Sequence, residues 1–221
     1  MNSFPHAIIF DLDNTLLDRD TSVRRLLTQQ WLQFFPEHNC VLKDAFIEKF
    51  LREDNNGYSN KVETYTRVLR HFEGLTAEPE FLAEHFRGEI SNCVVCFESV
   101  KDVLCKLSDT YKLGMITNGT SDIQRSKINT LGLESYFDSI LIGGEGVAAK
   151  PSGEIFEKSL EQLGVKASQA IMVGDHDVND IQAASNCGIK TVWIRNKYYA
   201  QPECCDYVIS NVSELFSILD R

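Results

Sequence analysis

The 221-residue chain has no long apolar run. Its longest, 93–97 (CVVCF), falls far short of the roughly 18–20 residues that a membrane-spanning helix needs, so no membrane partner is expected. Positive charge is scarce: 22 Lys and Arg stand against 32 Asp and Glu, a net charge of −10. Such a chain gains nothing electrostatically from a phosphate backbone, so no nucleic acid polymer is expected as a partner. A small anionic substrate is compatible with this balance if a local cation or a metal ion meets it. The N-terminus has no basic region, and Asp11 and Asp13 cut off its first apolar run, so it does not read as a signal peptide. Seven cysteines, an odd number without an export signal, point to reduced thiols in the cytoplasm. Internal repeats and low-complexity tracts are lacking as well. With 43% hydrophobic and 24% charged residues the composition is that of an ordinary globular protein. The length suits one large domain, or a core with a smaller companion.

Short, continuous apolar runs recur at 7–10, 113–116, 139–142, 171–173, 191–194 and 207–209, each ending in a polar or glycine-containing turn. Runs of this kind suit strands buried on both faces of a parallel sheet. Helical stripes separate the later ones. Val100, Val103, Leu104 and Leu107 form one, and Ile155, Phe156, Leu160 and Leu163 another, with Ser159 as its small polar exception. Gly132, Gly164 and Gly188 each follow a helical segment, where a left-handed cap is wanted. The alternation predicts an α/β fold with a doubly wound, Rossmann-like parallel sheet.

It is broken once. From about residue 18 to 97 helical stripes replace strands: Val23, Leu26, Leu27, Trp31 and Phe34; Val62, Tyr65, Val68, Leu69 and Phe72; Phe81, Leu82, His85, Phe86 and Ile90. The block reads as an inserted α-helical subdomain, 18–97, between the two parts of the core, 1–17 and 98–221. Its most turn-like stretch is 52–61 (REDNNGYSNK).

Four strand ends carry chemistry. After the first run come Asp11 and Asp13, two carboxylates whose mutual repulsion a hard divalent cation such as Mg²⁺ would relieve. After the second come Thr117, Asn118 and Gly119, a hydroxyl and backbone N–H groups near a helix start that can cradle an anion. The third leads through Gly143, Gly144 and Gly146 to Lys150-Pro151, which fails the P-loop pattern because no Ser or Thr follows the lysine. The fourth leads through Gly174 to Asp175, His176, Asp177 and Asp180; capping of the next helix accounts for one of Asp177, Asn179 or Asp180, but not for Asp175. Ligands of open α/β sheets bind beyond the carboxyl ends of the strands, so one parallel sheet would gather the whole set.

In order and spacing these segments resemble the four motifs of the haloacid dehalogenase superfamily, in its phosphatase branch with a helical cap inserted after the first motif. Asp11-Leu12-Asp13-Asn14-Thr15 matches the first motif, Thr117-Asn118 the second, Lys150-Pro151 the third, and Gly174-Asp175 with Asp180 the fourth. The resemblance implies a phosphatase for a small phosphorylated metabolite, a sugar phosphate or nucleoside monophosphate. It implies Asp11 as nucleophile and Asp13 as general acid and base. It also implies Mg²⁺ on the Asp11 carboxylate, the Asp13 carbonyl and the Asp175 carboxylate, phosphoryl binding by Thr117, Asn118 and Lys150, and Asp180 behind them orienting Lys150 or a metal-bound water. The acid at position 13 sets the chain apart from the dehalogenases that name the superfamily. The glycines before Lys150 depart from the pattern, since relatives often carry a serine there.

Two other readings stay open on the sequence: a phosphomutase of the same superfamily, and a phospho-accepting signalling module, which fits less well because of the large insert. His176 is read as a loop residue rather than a substrate contact. Arg24, Arg25, Lys61 and Arg67 are read as solvated helix charges, and the aromatic stripe of the insert as core. A single CxxC (Cys93, Cys96) with only an adjacent pair (Cys204, Cys205) elsewhere argues against a zinc site.

Overall fold

The computed structural model describes residues 5–219. In chain order the elements are β1 (Ala7–Phe10), α1 (Arg19–Phe34), α2 (Cys40–Asp54), α3 (Lys61–His71), α4 (Pro79–Glu89), α5 (Val100–Ser108), β2 (Lys112–Asn118), α6 (Ser121–Leu131), β3 (Ser139–Gly143), α7 (Gly153–Leu163), β4 (Ala170–Gly174), α8 (Ala183–Asn186), β5 (Lys190–Ile194), β6 (Tyr207–Ile209) and α9 (Leu215–Leu219). Among the described residues no helix is long and apolar enough to cross a membrane.

The chain forms two compact units, one of Met1–Asp18 with Cys96–Arg221, the other Arg19–Val95. The sequence-based boundaries differ by one or two residues, and the reason is local. Leu17 bridges Cys96, and the Phe97 amide donates to the Leu16 carbonyl, which ties 96 and 97 to the sheet side.

The first unit holds a six-stranded sheet in the order β3-β2-β1-β4-β5-β6, with every neighbouring pair parallel. This is the doubly wound α/β architecture. Alternate residues of β1 face opposite layers, as a pleated strand requires. Ala7 and Ile9 pack with Ile116 and Met172 against Ile155, Phe156 and Leu163 of α7 and Ala183 and Ala184 of α8. On the other side Phe10 meets the ring of Phe137 edge-on, 6.3 Å between centroids. Ser159 owes its place in the α7 stripe to size. A Cβ at Gly114 would stand 3.2 Å from Ser159 Oγ and 3.0 Å from Leu163 Cδ1, so glycine on the strand and serine on the helix let the two backbones approach.

The second unit is helical, α1 to α4, around an aromatic core of Trp31, Phe35, Phe46, Phe50, Tyr65 and Phe86. Several of its features differ from the sequence reading, among them Lys61, which pairs with a buried acid rather than standing solvated. Phe81 is half exposed, resting edge-on against Phe34, rather than part of the buried stripe. The turn is also shorter than 52–61: α2 runs on to Asp54, and left-handed Asn55 and Asn56 (φ 47° and 53°) stop it there. Asp54 is fully buried, and the chain turns around it. Arg19 Nη2 lies 2.6 Å from its Oδ2 and Lys61 Nζ 2.6 Å from its Oδ1, so a carboxylate that would be costly alone is held by two cations.

Candidate active site

The parallel register puts the carboxyl ends of β1, β2, β3 and β4 along one edge, with Phe10 opposite both Met115 and Val173. β1 is flanked on both sides, so the residue after it emerges in the middle of that edge. The turn that follows folds on itself. Asn14 takes a left-handed conformation (φ 61°), the amides of Leu16 and Leu17 donate to the Leu12 carbonyl, and Leu12 is fully buried. Asn is among the few residues that accept such a backbone cheaply.

Asp11 is buried, and its Oδ1 accepts from Lys150 Nζ at 2.6 Å. The same ammonium donates to Asp180 Oδ1 at 2.7 Å and to the Ile116 carbonyl at 3.0 Å, which uses all three of its protons. Lys150 itself is fixed through its backbone. The Asn118 side chain donates to the Lys150 carbonyl at 2.7 Å and accepts from the Lys150 amide at 2.9 Å, as a strand neighbour would. The carboxylate oxygens of Asp11, Asp175 and Asp180 approach within 4.8 Å of one another. Both oxygens of Asp180 are engaged, Oδ1 with Lys150 and Oδ2 with the His176 amide at 3.0 Å. Asp175 differs: its Oδ2 is buried without a hydrogen-bond partner among the described residues. The carbonyl of Asp175 accepts from Trp193 Nε1 and Asn196 Nδ2, each at 2.8 Å, which fixes the residue at its backbone and leaves the carboxylate to point elsewhere.

These groups stand in mutual electrostatic tension. The Asp11 carboxyl is raised to about 7, with burial the largest cause, Lys150 opposing it and Asp180 adding to it. Asp175 is raised well above the ordinary carboxylate range by burial, then by the charges of Asp11 and Asp180. Burial works against the Lys150 charge, but Asp11 and Asp180 outweigh it and raise the ammonium above its ordinary value. One lysine among three buried acids leaves negative charge uncompensated, which is the condition that a divalent cation meets. The donor set fits Mg²⁺: hard carboxylate oxygens, one of them unpartnered, few enough to leave positions for water and a phosphate.

Asp13 lies to one side of that cluster. Its carboxylate accepts from Lys127 Nζ at 2.8 and 3.1 Å and from Gln124 Nε2 at 2.9 Å. Gln124 Nε2 also donates to Thr117 Oγ1 at 2.7 Å, so Asp13 and Thr117 are linked through a single amide group. The structure thus draws Asp11, Lys150, Asp175 and Asp180 into one buried cluster, with Asn118 holding Lys150. It joins Asp13 to Thr117 through Gln124.

Three features escaped the sequence reading. Gln124 and Lys127 were not singled out, although a signal exists: with Ile128 and Leu131 they form a buried stripe on α6 at helical spacing, two of whose members are polar. Trp193, near the end of β5, and Asn196, just after it, hold the Asp175 carbonyl and carry no signal in the sequence beyond that place. The helix after β4 is capped by His176, not by an acid. His176 Nδ1 accepts from the amides of Val178 and Asn179, and the ring stacks on Tyr199 at 4.3 Å. Asp177–Gln182 then form a wide-turned π segment, so Asp180 lies inside the helical turn rather than at its start.

Comparison with known proteins agrees with this architecture. The family model for haloacid dehalogenase-like hydrolases matches residues 8–194. The N-acylneuraminate-9-phosphatase of Rattus norvegicus is 32% identical over 96% of this chain and 93% of its own length. The pyrimidine 5′-nucleotidase YjjG of Escherichia coli is 29% identical over 96% of each. The magnesium-bound structure of the hydrolase YfnB from Bacillus subtilis shares the fold, with a TM-score of 0.81 at 20% identity, over 99% of this chain and 100% of that one. The chain therefore belongs to the haloacid dehalogenase-like hydrolases.

Proposed function

We propose that this hydrolase is a Mg²⁺-dependent phosphatase that cleaves a small phosphate monoester, of the sugar phosphate or nucleoside monophosphate class, through an aspartyl phosphate. The observation that carries the reading is the Asp11 carboxylate: buried in the middle of the strand-end edge, one oxygen held by Lys150, beside the unpartnered Oδ2 of Asp175. The two phosphatase relatives, named for a sugar acid phosphate and for nucleotides, support the substrate class.

Asp11 attacks phosphorus with its second oxygen, and the bond from phosphorus to the ester oxygen breaks. Asp13 gives its proton to that departing oxygen, so an alcohol leaves and Asp11 carries the phosphoryl group. Asp13, now ionised, takes a proton from water as the water oxygen attacks phosphorus. The bond from phosphorus to Asp11 breaks, and inorganic phosphate and free carboxylate result. Thr117 and the Asn118 amide bind the phosphoryl oxygens, and Lys150 balances charge that the transition state spreads over them. Asp180 fixes the lysine. The Asp11 and Asp175 carboxylates and the Asp13 carbonyl would hold Mg²⁺, which when bound supplies charge neutralisation and orientation of the phosphoryl group. We assign selectivity for the leaving group to the inserted helical unit.

Incubation with Mg²⁺ and a panel of phosphorylated metabolites tests the proposal. Free phosphate is expected as product, with a phosphorylated peptide containing Asp11 trapped by acid quench. Asp11→Asn should fold and bind yet give neither. An isomerised sugar phosphate in place of free phosphate would move the reading to a mutase. Full turnover by Asp11→Asn would end it.

A further inference from the structure

The Asp13 carboxylate is held at both oxygens. It is gripped from α6 by two residues that no step above uses, Lys127 on both its oxygens and Gln124 on one. We infer that Gln124 and Lys127 are positioning residues that fix the proton donor and the phosphoryl binder in one register, an inference that rests on the phosphatase reading. Gln124 touches both partners. Its amide nitrogen carries two protons; one goes to Asp13 Oδ2 at 2.9 Å and the other to Thr117 Oγ1 at 2.7 Å. A hydroxyl that accepts the amide proton keeps its own proton for another acceptor. The Thr117 hydroxyl donates to the Asn118 carbonyl only at 3.4 Å, a long and weak bond. Gln124 therefore both locates Asp13 and, by donating to Thr117 Oγ1, leaves the Thr117 proton weakly engaged and available to a phosphoryl oxygen.

The local backbone is shaped for this contact. Gly119 takes φ 139°, and a Cβ there would stand 3.0 Å from Gln124 Cγ and 3.1 Å from Cδ. The glycine of the Thr-Asn-Gly turn clears the space in which the Gln124 side chain lies. Gln124 is 2% and Lys127 8% exposed, so neither is a surface group paired by chance. Burial of an ammonium is costly unless it is matched, and here its match is the Asp13 carboxylate. Proton donation needs the donor within hydrogen-bond reach of the leaving oxygen, and a small misplacement costs much of the rate.

A series of substituted phenyl phosphates separates this role from simple bracing. The esters share one shape and differ in how badly the leaving oxygen needs a proton. The measured quantity is kcat/KM, which reports steps up to phosphoenzyme formation. For wild type the ratio of p-nitrophenyl phosphate to phenyl phosphate should be modest. In Lys127→Met and Gln124→Leu phenyl phosphate should suffer much more, so the ratio rises about tenfold or more, part of the 10²–10⁴ that general acid catalysis supplies. Lys127→Arg should restore it. Gln124→Glu, which keeps size and removes both donors, gives the same comparison if either larger change prevents folding. An unchanged ratio, even with all rates lowered, would overturn the inference and leave the phosphatase reading intact. A wild-type protein that cleaves none of the esters, and shows no phosphorylated Asp11 with any metabolite, would count against the reading itself.

Discussion

Lys150 Nζ stands 2.6 Å from Asp11 Oδ1 with both side chains buried, and Asp180 holds the same ammonium from the other side at 2.7 Å. The cation is the keystone of a cluster of acids. Its removal should therefore cost stability as well as turnover. Lys150→Met leaves Asp11 and Asp180 buried without a partner, and breaking such a pair costs about 3–5 kcal/mol. Urea unfolding should show that loss, and turnover should fall about 10²–10³-fold, as for other charge-stabilising donors. Adding Asp11→Asn to Lys150→Met should recover part of the stability and none of the activity. Equal stability of Lys150→Met and wild type would show that the cluster relaxes without its cation.

Gly143 has a role set by crowding. A Cβ there would lie 2.6 Å from Asn118 Oδ1 and 2.7 Å from Ala149 Cα, closer than real Cβ contacts allow. Gly143→Ala should push Asn118 away from the Lys150 backbone that it grips on both sides. We expect a loss of about 1–3 kcal/mol by thermal or chemical unfolding, with a drop in kcat from a displaced lysine. Gly144→Ala, one residue along, meets nothing within 4 Å; its strain is of the backbone alone, φ 92°. Its kcat should stay near wild type, so the pair separates displacement of Asn118 from strain.

Asp175 is the test of the metal. Its unpartnered, buried oxygen gains most from a cation. Chelation with EDTA should abolish turnover, and added Mg²⁺ should restore it. Asp175→Asn removes one charge and keeps the Trp193 and Asn196 bonds, because those go to the backbone carbonyl. The Mg²⁺ concentration for half-maximal activity should rise at least about tenfold, as even losses behind the ligands themselves commonly do. Isothermal titration would read the same shift in binding. Turnover that is indifferent to chelator would contradict the metal dependence.

What could be read in advance follows from how each residue is specified. The strands of the sheet declared themselves because a parallel strand buried on both faces leaves an unbroken apolar run, and the acids declared themselves by ending those runs. Gln124 and Lys127 did not, because a polar residue on an amphipathic helix looks solvated until a facing loop is known; what faces them is Asp13, more than a hundred residues earlier. The His176 cap is obscured by Asp177, Asn179 and Asp180, each a better cap by preference than histidine. The end of α2 was misread for a related reason. Arg52, Glu53 and Asp54 look like a solvated turn in sequence, yet Asp54 is wholly buried between two cations that come from other parts of the unit. For Gln124, Lys127 and Asp54 local sequence carries the residue type and another segment supplies the partner.

The bridge between Leu17 and Cys96 makes the two ends of the helical insertion neighbours. The polypeptide leaves the sheet and comes back through a doorway one residue pair wide, so the six strands register the excursion as little more than a tight bend. An insertion whose ends meet in this way can be lengthened or trimmed without re-threading the scaffold, because the sheet meets only its two closely spaced ends.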